Sequence, residues 1–309
     1  MKINLANIKK AKKLLDKSEC VAVPTETVYG LAGNAYSNNA CKKIFTLKKR
    51  PRNNPLIVHY YSVQNIKKDC HLNNSFFKLY KSFCPGPITF ILSLKKNSKI
   101  SKMVTNKKKS LAVRFPKHSI MRNLLKKIDY PLAAPSVNLS SKLSAVCSND
   151  VKEDFGKKIK FILEGGKSKI GLESTIIDIR HKPKILRLGG LNLSKIQSIL
   201  KKKILINNNP INISAPGQLK IHYSPGLPIK LNAKEAKNNE AYLLIKKRKY
   251  NKPNYYFLSK KGDLNEIAKN LYSTLRKIKK DKYKSIAVSK IPNKGLGKTI
   301  NDRLKRAIK

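Results

Sequence analysis

Short apolar runs punctuate the chain, at 20–23, 56–60, 89–94, 111–115, 132–134, 160–164, 174–179 and 184–188. Runs of this length, bounded by Gly, Pro and small polar residues, predict buried strands. Between them, near 38–48, 73–82 and 118–127, apolar residues recur every three or four positions, which predicts helices with one core-facing side. The first residues follow the same helical spacing, with Ile3, Leu5, Ile8, Ala11, Leu14 and Leu15 apolar. Residues 1–204 therefore read as one α/β domain. A stretch rich in Asn, Pro, Ser and Gly, "LINNNPINISAPGQLKIHYSPGLPI" over 205–229, predicts a linker or lid. Beyond it, strand patterns at 241–245, 255–259 and 285–289 flank a helix over 264–279 whose stripe is Leu264, Ile267, Ala268, Leu271, Leu275 and Ile278. Asp263 and Glu266 stand in capping-box spacing at its start. Residues 230–309 thus predict a second, small α/β domain.

Composition narrows the class of protein. The 309 residues are 40% hydrophobic, enough for a sizeable core, and contain no apolar run of the ~18 residues a membrane helix needs. The N-terminus has helix periodicity instead of the order of a signal peptide, so a cytoplasmic protein is expected. Five cysteines without a CxxC pair argue against a disulfide framework, and five histidines without HxxxH or HExxH spacing argue against a transition-metal centre. A net charge of +51 invites a nucleic-acid reading. The charge is spread along the chain, however, with +18 falling in 230–309. Lys, Asn and Ile are abundant together, as codon usage in an A/T-rich genome would make them. No RGG tract, RNP-like strand or helix-turn-helix stands out. A weak affinity for RNA stays open.

Two segments imitate a phosphate-binding loop. "GLGKT" at 295–299 lies between a strand and a helix, but the required upstream glycine is Pro292, which has no amide hydrogen. "GGKS" at 165–168 has Phe161 at that place. Both predict turns. The chemistry-bearing residues collect elsewhere, at strand ends. "PTETVYGL" (24–31) is a hydroxyl-rich strand exit containing Thr27. "LKKRPRNNPLIVHY" carries Lys48, Arg50, Arg52, Asn54 and His59. "PGPITFIL" brings Thr89, and "SLAVRFP" places Ser110 and Arg114 four apart on one side of a strand. "PLAAPSVNLS" supplies Ser136, Asn138 and Ser140, "GLESTIIDI" supplies Ser174 and Thr175, and "ILRLGG" supplies Arg187. Singly, each could be structural: cations suit a helix C-terminus, and Ser and Asn bond turn backbones. Arg114 is harder to dismiss, because a buried guanidinium needs an anion and only 17 acidic residues can offer one. Together the clusters describe a concave site of cations and hydroxyls, poor in general bases.

In this order, "PTETVYGL", "KKRP…NPL", "PGPITFIL", "LAVRFP", "APSVNLS", "GLESTIID" and "LRLGG" resemble the YrdC-like threonylcarbamoyl-AMP synthase family over residues 5 to about 203. "APGQLKIHYSP" resembles the linker of the family's longer, two-domain branch, and "GLGKTINDRLKRA" the end of its C-terminal domain. The resemblance implies a twisted mixed sheet with helices around a concave cavity, plus a small Rossmann-like C-terminal domain. It implies a nucleotidyltransferase that makes L-threonylcarbamoyladenylate and pyrophosphate from L-threonine, bicarbonate and ATP, for modification of tRNA adenosine 37 by a downstream threonylcarbamoyl transferase. By motif match, Thr27, His59, Arg114, Ala134 and Ser174 would surround threonine, with Arg114 on its carboxylate. Lys48, Arg50, Asn54, Ser110, Ser136, Asn138, Ser144, Arg187 and Tyr223 would contact ATP, Lys48 and Arg50 stabilising the triphosphate charge. Magnesium would be carried by the phosphates and not by protein ligands. The chain departs from the family at Ser141 and Leu143, where Gly and Pro are common, and at Val137, where a smaller residue is usual. A non-catalytic basic RNA-binding protein is the alternative, to be separated by salt-dependent RNA binding without ATP turnover.

Overall fold

The computed structural model describes residues 4–207, 222–250 and 252–308. The central part of the 205–229 segment, 208–221, lies outside the described residues. A nine-stranded sheet dominates, in the order β1-β2-β6-β3-β5-β4-β7-β8-β9. Its strands are β1 (Val21–Val23), β2 (Gly30–Asn34), β3 (Ile57–His59), β4 (Ile88–Ser93), β5 (Ser110–Arg114), β6 (Leu132–Ala133), β7 (Thr175–Asp178), β8 (Lys184–Arg187) and β9 (Leu205–Ile206). The pairing is mixed: β3 and β5 run parallel, β4 runs antiparallel to β5, and β7 runs parallel to β4. As a result the ends of β3, β5 and β8 and the beginnings of β4 and β7 share one edge of the sheet.

Alternation along β5 shows why the sheet has two different faces. Leu111 and Val113 join the main core with Val58, Phe90, Leu92 and Ile177. Helices α1 (Leu5–Asp16), α2 (Asn38–Lys48), α3 (Val63–Ile66), α4 (Asn74–Phe83), α5 (Lys102–Thr105), α6 (Ser119–Lys126), α7 (Ser148–Phe155) and α8 (Leu193–Leu200) surround the sheet. Ala112 sits on the other face in a small apolar cluster with Ile57, Ile91, Ile176 and Leu186. Arg114, two residues on, shares that second face, as the period of two requires.

A four-stranded parallel sheet forms the second domain, ordered β10-β13-β11-β12. It comprises β10 (Ile229–Lys230), β11 (Glu240–Leu244), β12 (Tyr255–Phe257) and β13 (Ser285–Val288), with α9 (Leu264–Lys280) and α10 (Leu296–Ala307). The predicted stripe of α9 is buried at Ile267, Ala268, Leu271, Leu275 and Ile278. Asp263 caps the helix by accepting from the Glu266 amide at 2.8 Å. Glu266 does not complete a capping box; its carboxylate accepts instead from the Ser259 hydroxyl at 2.6 Å. The two domains share one apolar cluster, in which Val28, Leu143, Val146 and Leu172 of the first pack with Ile267, Leu271, Leu275, Ile300 and Leu304 of the second. No helix among the described residues is long and apolar enough to cross a membrane.

The apolar run at 160–164 does not form a strand. Its only ladder contact is an isolated bridge between Ile162 and Ala22, made by Ala22 N donating to Phe161 O and Leu163 N donating to Ala22 O. Strand β2 was not anticipated, because its sequence, GLAGN, has too few large apolar residues to stand out.

Candidate active site

Against the second face of the large sheet lies a narrow cavity of about 30 Å³. Its described lining includes Arg50, Arg114 and Arg187, with Glu173 as the only carboxylate. Hydroxyl and ring groups complete the wall from Thr25, Tyr29, His59, Ser136, Ser174, His222 and Tyr223.

The "PTETVYGL" exit builds one side. Thr25 Oγ1 donates to the Val28 carbonyl at 2.6 Å and accepts from the amides of Thr27 and Val28, closing a tight turn around one hydroxyl. Thr27 Oγ1 is 2.8 Å from that same oxygen and fully buried. Thr25, and not Thr27, reaches the cavity lining. Tyr29 lines the cavity and spans to the "GGKS" turn, its hydroxyl donating to Gly166 O at 2.9 Å and accepting from Gly165 N at 3.0 Å. A β-carbon at Gly165 would stand 2.2 Å from that of Pro24. The glycine pair therefore serves close packing against the motif.

Glu26 supplies the anion that buried Arg114 requires. Arg114 Nη2 donates to Glu26 Oε1 at 2.8 Å, and both side chains are buried. The other oxygen, Oε2, accepts from the Lys117 amide at 2.9 Å. Burial would raise the Glu26 carboxyl, but Arg114 outweighs it and holds the acid ionised. The chain itself thus provides the counter-ion for Arg114, from among its few acidic residues. Arg114 Nε remains without a hydrogen-bond partner among the described residues. Opposite Arg114 in the ladder is His59, whose ring nitrogens have no side-chain hydrogen-bond partner among the described residues. Burial first, then the Arg114 charge, push its pKa well below 6.5, so the imidazole is neutral at physiological pH.

Lys48 and Arg50 leave the end of α2 in different directions. The buried Lys48 ammonium donates to the carbonyls of Ser136 and Asn138, both at 2.5 Å. It lies behind the cavity wall and fixes the "SVN" loop. Within that loop Ser136 Oγ donates to Asn138 Oδ1 at 2.7 Å, and Asn138 Nδ2 donates to the carbonyls of Leu139 and Lys142. Arg50 does reach the cavity. Its Nε and Nη2 donate to Asn54 O, Asn54 Oδ1 and Pro55 O, which makes Asn54 a brace for the guanidinium. Burial and the nearby Arg187 charge push the Arg50 pKa down, the signature of like charges crowded out of water.

The "GLEST" and "LRLGG" segments build the opposite wall. Ser174 Oγ is 2.7 Å from Thr89 Oγ1 and accepts from Arg187 Nη2 at 3.2 Å. A β-carbon at Gly189 would lie 2.3 Å from Ser174 C and Thr175 N, so only glycine permits this approach. Ser144 donates to Glu173 Oε1 at 2.6 Å. Glu173 also accepts from Tyr272 of α9 and, at 2.9 Å, from Arg303 of α10. Burial opposes its ionisation, yet Arg303 and then Arg187 bring its pKa to about 2. His222 packs on the Tyr223 ring at 3.9 Å, and burial lowers its pKa to about 3.

Of the residues expected from sequence, Arg50, His59, Arg114, Ala134, Ser136, Ser174, Arg187 and Tyr223 meet on the cavity lining. Thr27, Lys48, Asn54, Asn138 and Ser144 stand one layer behind it. Ser110, at the far end of β5, lies about 13 Å from Arg114 along the strand. Glu173, Thr25 and His222 were not anticipated, although the burial implied by "GLEST" could have flagged its carboxylate.

Two sequence-family models cover the chain: one described as "Telomere recombination", for Sua5, YciO and YrdC proteins, over residues 13–189, and one described as the threonylcarbamoyl-AMP synthase C-terminal domain over 191–308. The chain belongs to the threonylcarbamoyl-AMP synthase family. It is accordingly an enzyme of nucleotidyltransferase type. A threonylcarbamoyl-AMP synthase from Pyrococcus abyssi is 33% identical over 97% of this chain and 93% of its own length. One from Bacillus subtilis is 32% identical over 98% and 93%. The crystal structure of the P. abyssi Sua5 protein complexed with L-threonine superposes with a TM-score of 0.92 at 32% identity, covering 99% of this chain and 95% of that one.

Proposed function

We propose that the protein condenses L-threonine, bicarbonate and ATP into L-threonylcarbamoyladenylate, releasing pyrophosphate. The observation that carries this reading is the charge of the cavity: Arg50 and Arg187 stand in a desolvated space beside Arg114, which Glu26 pairs, and the one carboxylate among the described lining residues is tied to the second domain. Such an excess of buried cation suits a triphosphate and a departing pyrophosphate.

In the first step the threonine amine adds to the carbon of bicarbonate, and loss of water leaves a carbamate. A carbamate oxygen then attacks the α-phosphorus of ATP, and the bond from that phosphorus to the bridging β-oxygen breaks. Arg114, with Nε unpartnered and Nη2 held by Glu26, is preset to receive the threonine carboxylate. Neutral His59 beside it offers one ring N–H and one lone pair to the amino acid. Its depressed pKa makes it a poor proton acceptor, and Glu173 at about 2 and His222 at about 3 are poorly matched to neutral pH as well. Catalysis then rests on positioning and charge neutralisation, with Arg50 and Arg187 facing the phosphates. Lys48, Asn54, Asn138 and Ser144 serve by holding the residues that touch substrate, and Thr27 by fixing the hydroxyl of Thr25.

Small-molecule sites usually span about 300–1,000 Å³, so the cavity of about 30 Å³ is too small to hold ATP as it stands. ATP entry requires the segment bearing His222 and Tyr223 to withdraw, and its return excludes water from a labile carbamate. The described residues do not form a metal cage: no cluster of three His, Cys, Asp or Glu is present among them, and the cavity carboxylate is committed to Arg303, Tyr272 and Ser144. Magnesium is therefore proposed only as a companion of the triphosphate. Supply of the product to a tRNA threonylcarbamoyl transferase in the cytoplasm completes the proposal. The five free cysteines suit that reducing compartment.

Purified protein mixed with ATP, bicarbonate and L-threonine should release pyrophosphate. Release that persists without threonine, or none from folded protein, would refute the reading.

A further inference from the structure

The carboxylate on the cavity wall is answered from the other domain. Arg303, on α10, has only 1% of its side chain exposed. Its Nε donates to Glu173 Oε2 at 2.9 Å, Nη2 to the Leu188 carbonyl at 2.7 Å, and Nη1 to Asp302 Oδ2 at 2.7 Å. All three edges of the guanidinium fork are thus engaged, and its position is fixed. The same group lies 4.5 Å from the centre of the Tyr223 ring, which stacks at 6.0 Å and 17° on Tyr272 of α9. Tyr223 itself has a left-handed backbone, with φ of 65°. A non-glycine residue keeps that conformation only where its surroundings impose it.

A carboxylate facing a triphosphate repels it, and in a desolvated site the repulsion is strong. Glu173 lines the cavity beside Arg187, Ser174 and Tyr223. We propose that Arg303 is a positioning residue for the nucleotide, reaching from the C-terminal domain to cancel the Glu173 charge and to seat the Tyr223 ring. The second domain then sets the electrostatics and shape of the ATP end of the site. This rests on the assignment of Arg50, Arg187 and Tyr223 to ATP. It also explains a carboxylate in a site meant for polyanions: Glu173 anchors the second domain, and Arg303 removes the penalty of its charge.

The test compares wild type with Arg303→Met, Glu173→Gln and the double variant in the full chain, by pyrophosphate release at varied ATP and varied threonine. Arg303→Met keeps bulk and removes charge. It should raise the KM for ATP by roughly tenfold or more, because breaking a buried pair leaves an uncompensated charge. The KM for threonine should stay within about threefold, a split that a general loss of structure would not produce. The double variant, neutral on both sides, should recover most of the ATP KM. An Arg303→Met enzyme with unchanged ATP KM, equal losses for both substrates, or no rescue by Glu173→Gln would overturn the proposal. If Arg303→Met does not fold, the double variant should fold and bind ATP in calorimetry; its failure to do so also overturns it. Wild-type protein that releases no pyrophosphate would instead refute the ATP-site reading on which the proposal stands.

Discussion

Ser141 stands in the left-handed region at φ of 67°, where the family commonly has glycine. A residue with a β-carbon is strained in that region by about 1–2 kcal/mol. What holds it there is the interface with the segment bearing Tyr223: Ser224 N donates to Ser141 O at 2.9 Å. Replacing Ser141 with Gly should stabilise the protein by about 1 kcal/mol in urea unfolding; a loss of stability would show that the serine side chain, and not the strain, matters. Arg114 marks the limit of reading single residues. Its placement in an apolar strand exposed the need for an anion, but nothing along the chain says that Glu26, 88 positions away, satisfies it. Long-range pairing of this kind is set by topology, which residue patterns do not encode. Lys48 shows the same limit: a lysine in a basic cluster gives no sign of whether its ammonium faces a ligand or two carbonyls.

At the scale of elements, the close approach of the "LRLGG" turn to the start of β7 decides the shape of the site. Gly190 N donates to Glu173 O at 2.8 Å, and no room exists for a β-carbon at Gly189. Gly189→Ala should cost about 1–3 kcal/mol or more of stability and displace Ser174 and Arg187 together. An unaltered urea midpoint would contradict this packing account. Most strands were legible because β-branched and aromatic runs between Gly and Pro have few other readings. The failures have physical causes. Residues 160–164 are as apolar as a strand but meet a partner at one position only. Strand β2 consists of small residues, and helix α7 (SNDVKEDF) is too polar for its periodicity to show. The capping-box spacing at α9 gave the helix start correctly, while tertiary contact with Ser259 took the glutamate elsewhere.

For the whole molecule, the domains are joined by a shared apolar cluster and by the buried Glu173–Arg303 pair. The pair makes that union sensitive to acid. Because the folded pKa of Glu173, about 2, lies below its ordinary 4.5, its contribution is complete above pH 4.5 and disappears as pH falls toward 2. The shift corresponds to about 3 kcal/mol. Unfolding free energy should decline over that window, and less steeply in Glu173→Gln, which has nothing to protonate there. An equally steep acid limb in the variant would contradict the assignment. The net charge of +51 says much less at this scale than its size suggests, since it is spread along the chain, whereas three arginines inside one cavity are specific. The most direct test of the central claim supplies carbon-13-labelled bicarbonate with ATP and L-threonine and follows the products by mass spectrometry. The account predicts an adenylate that carries both threonine and one labelled carbon, formed in step with pyrophosphate. ATP consumed without labelled adenylate, or an adenylate of threonine lacking the label, would contradict it.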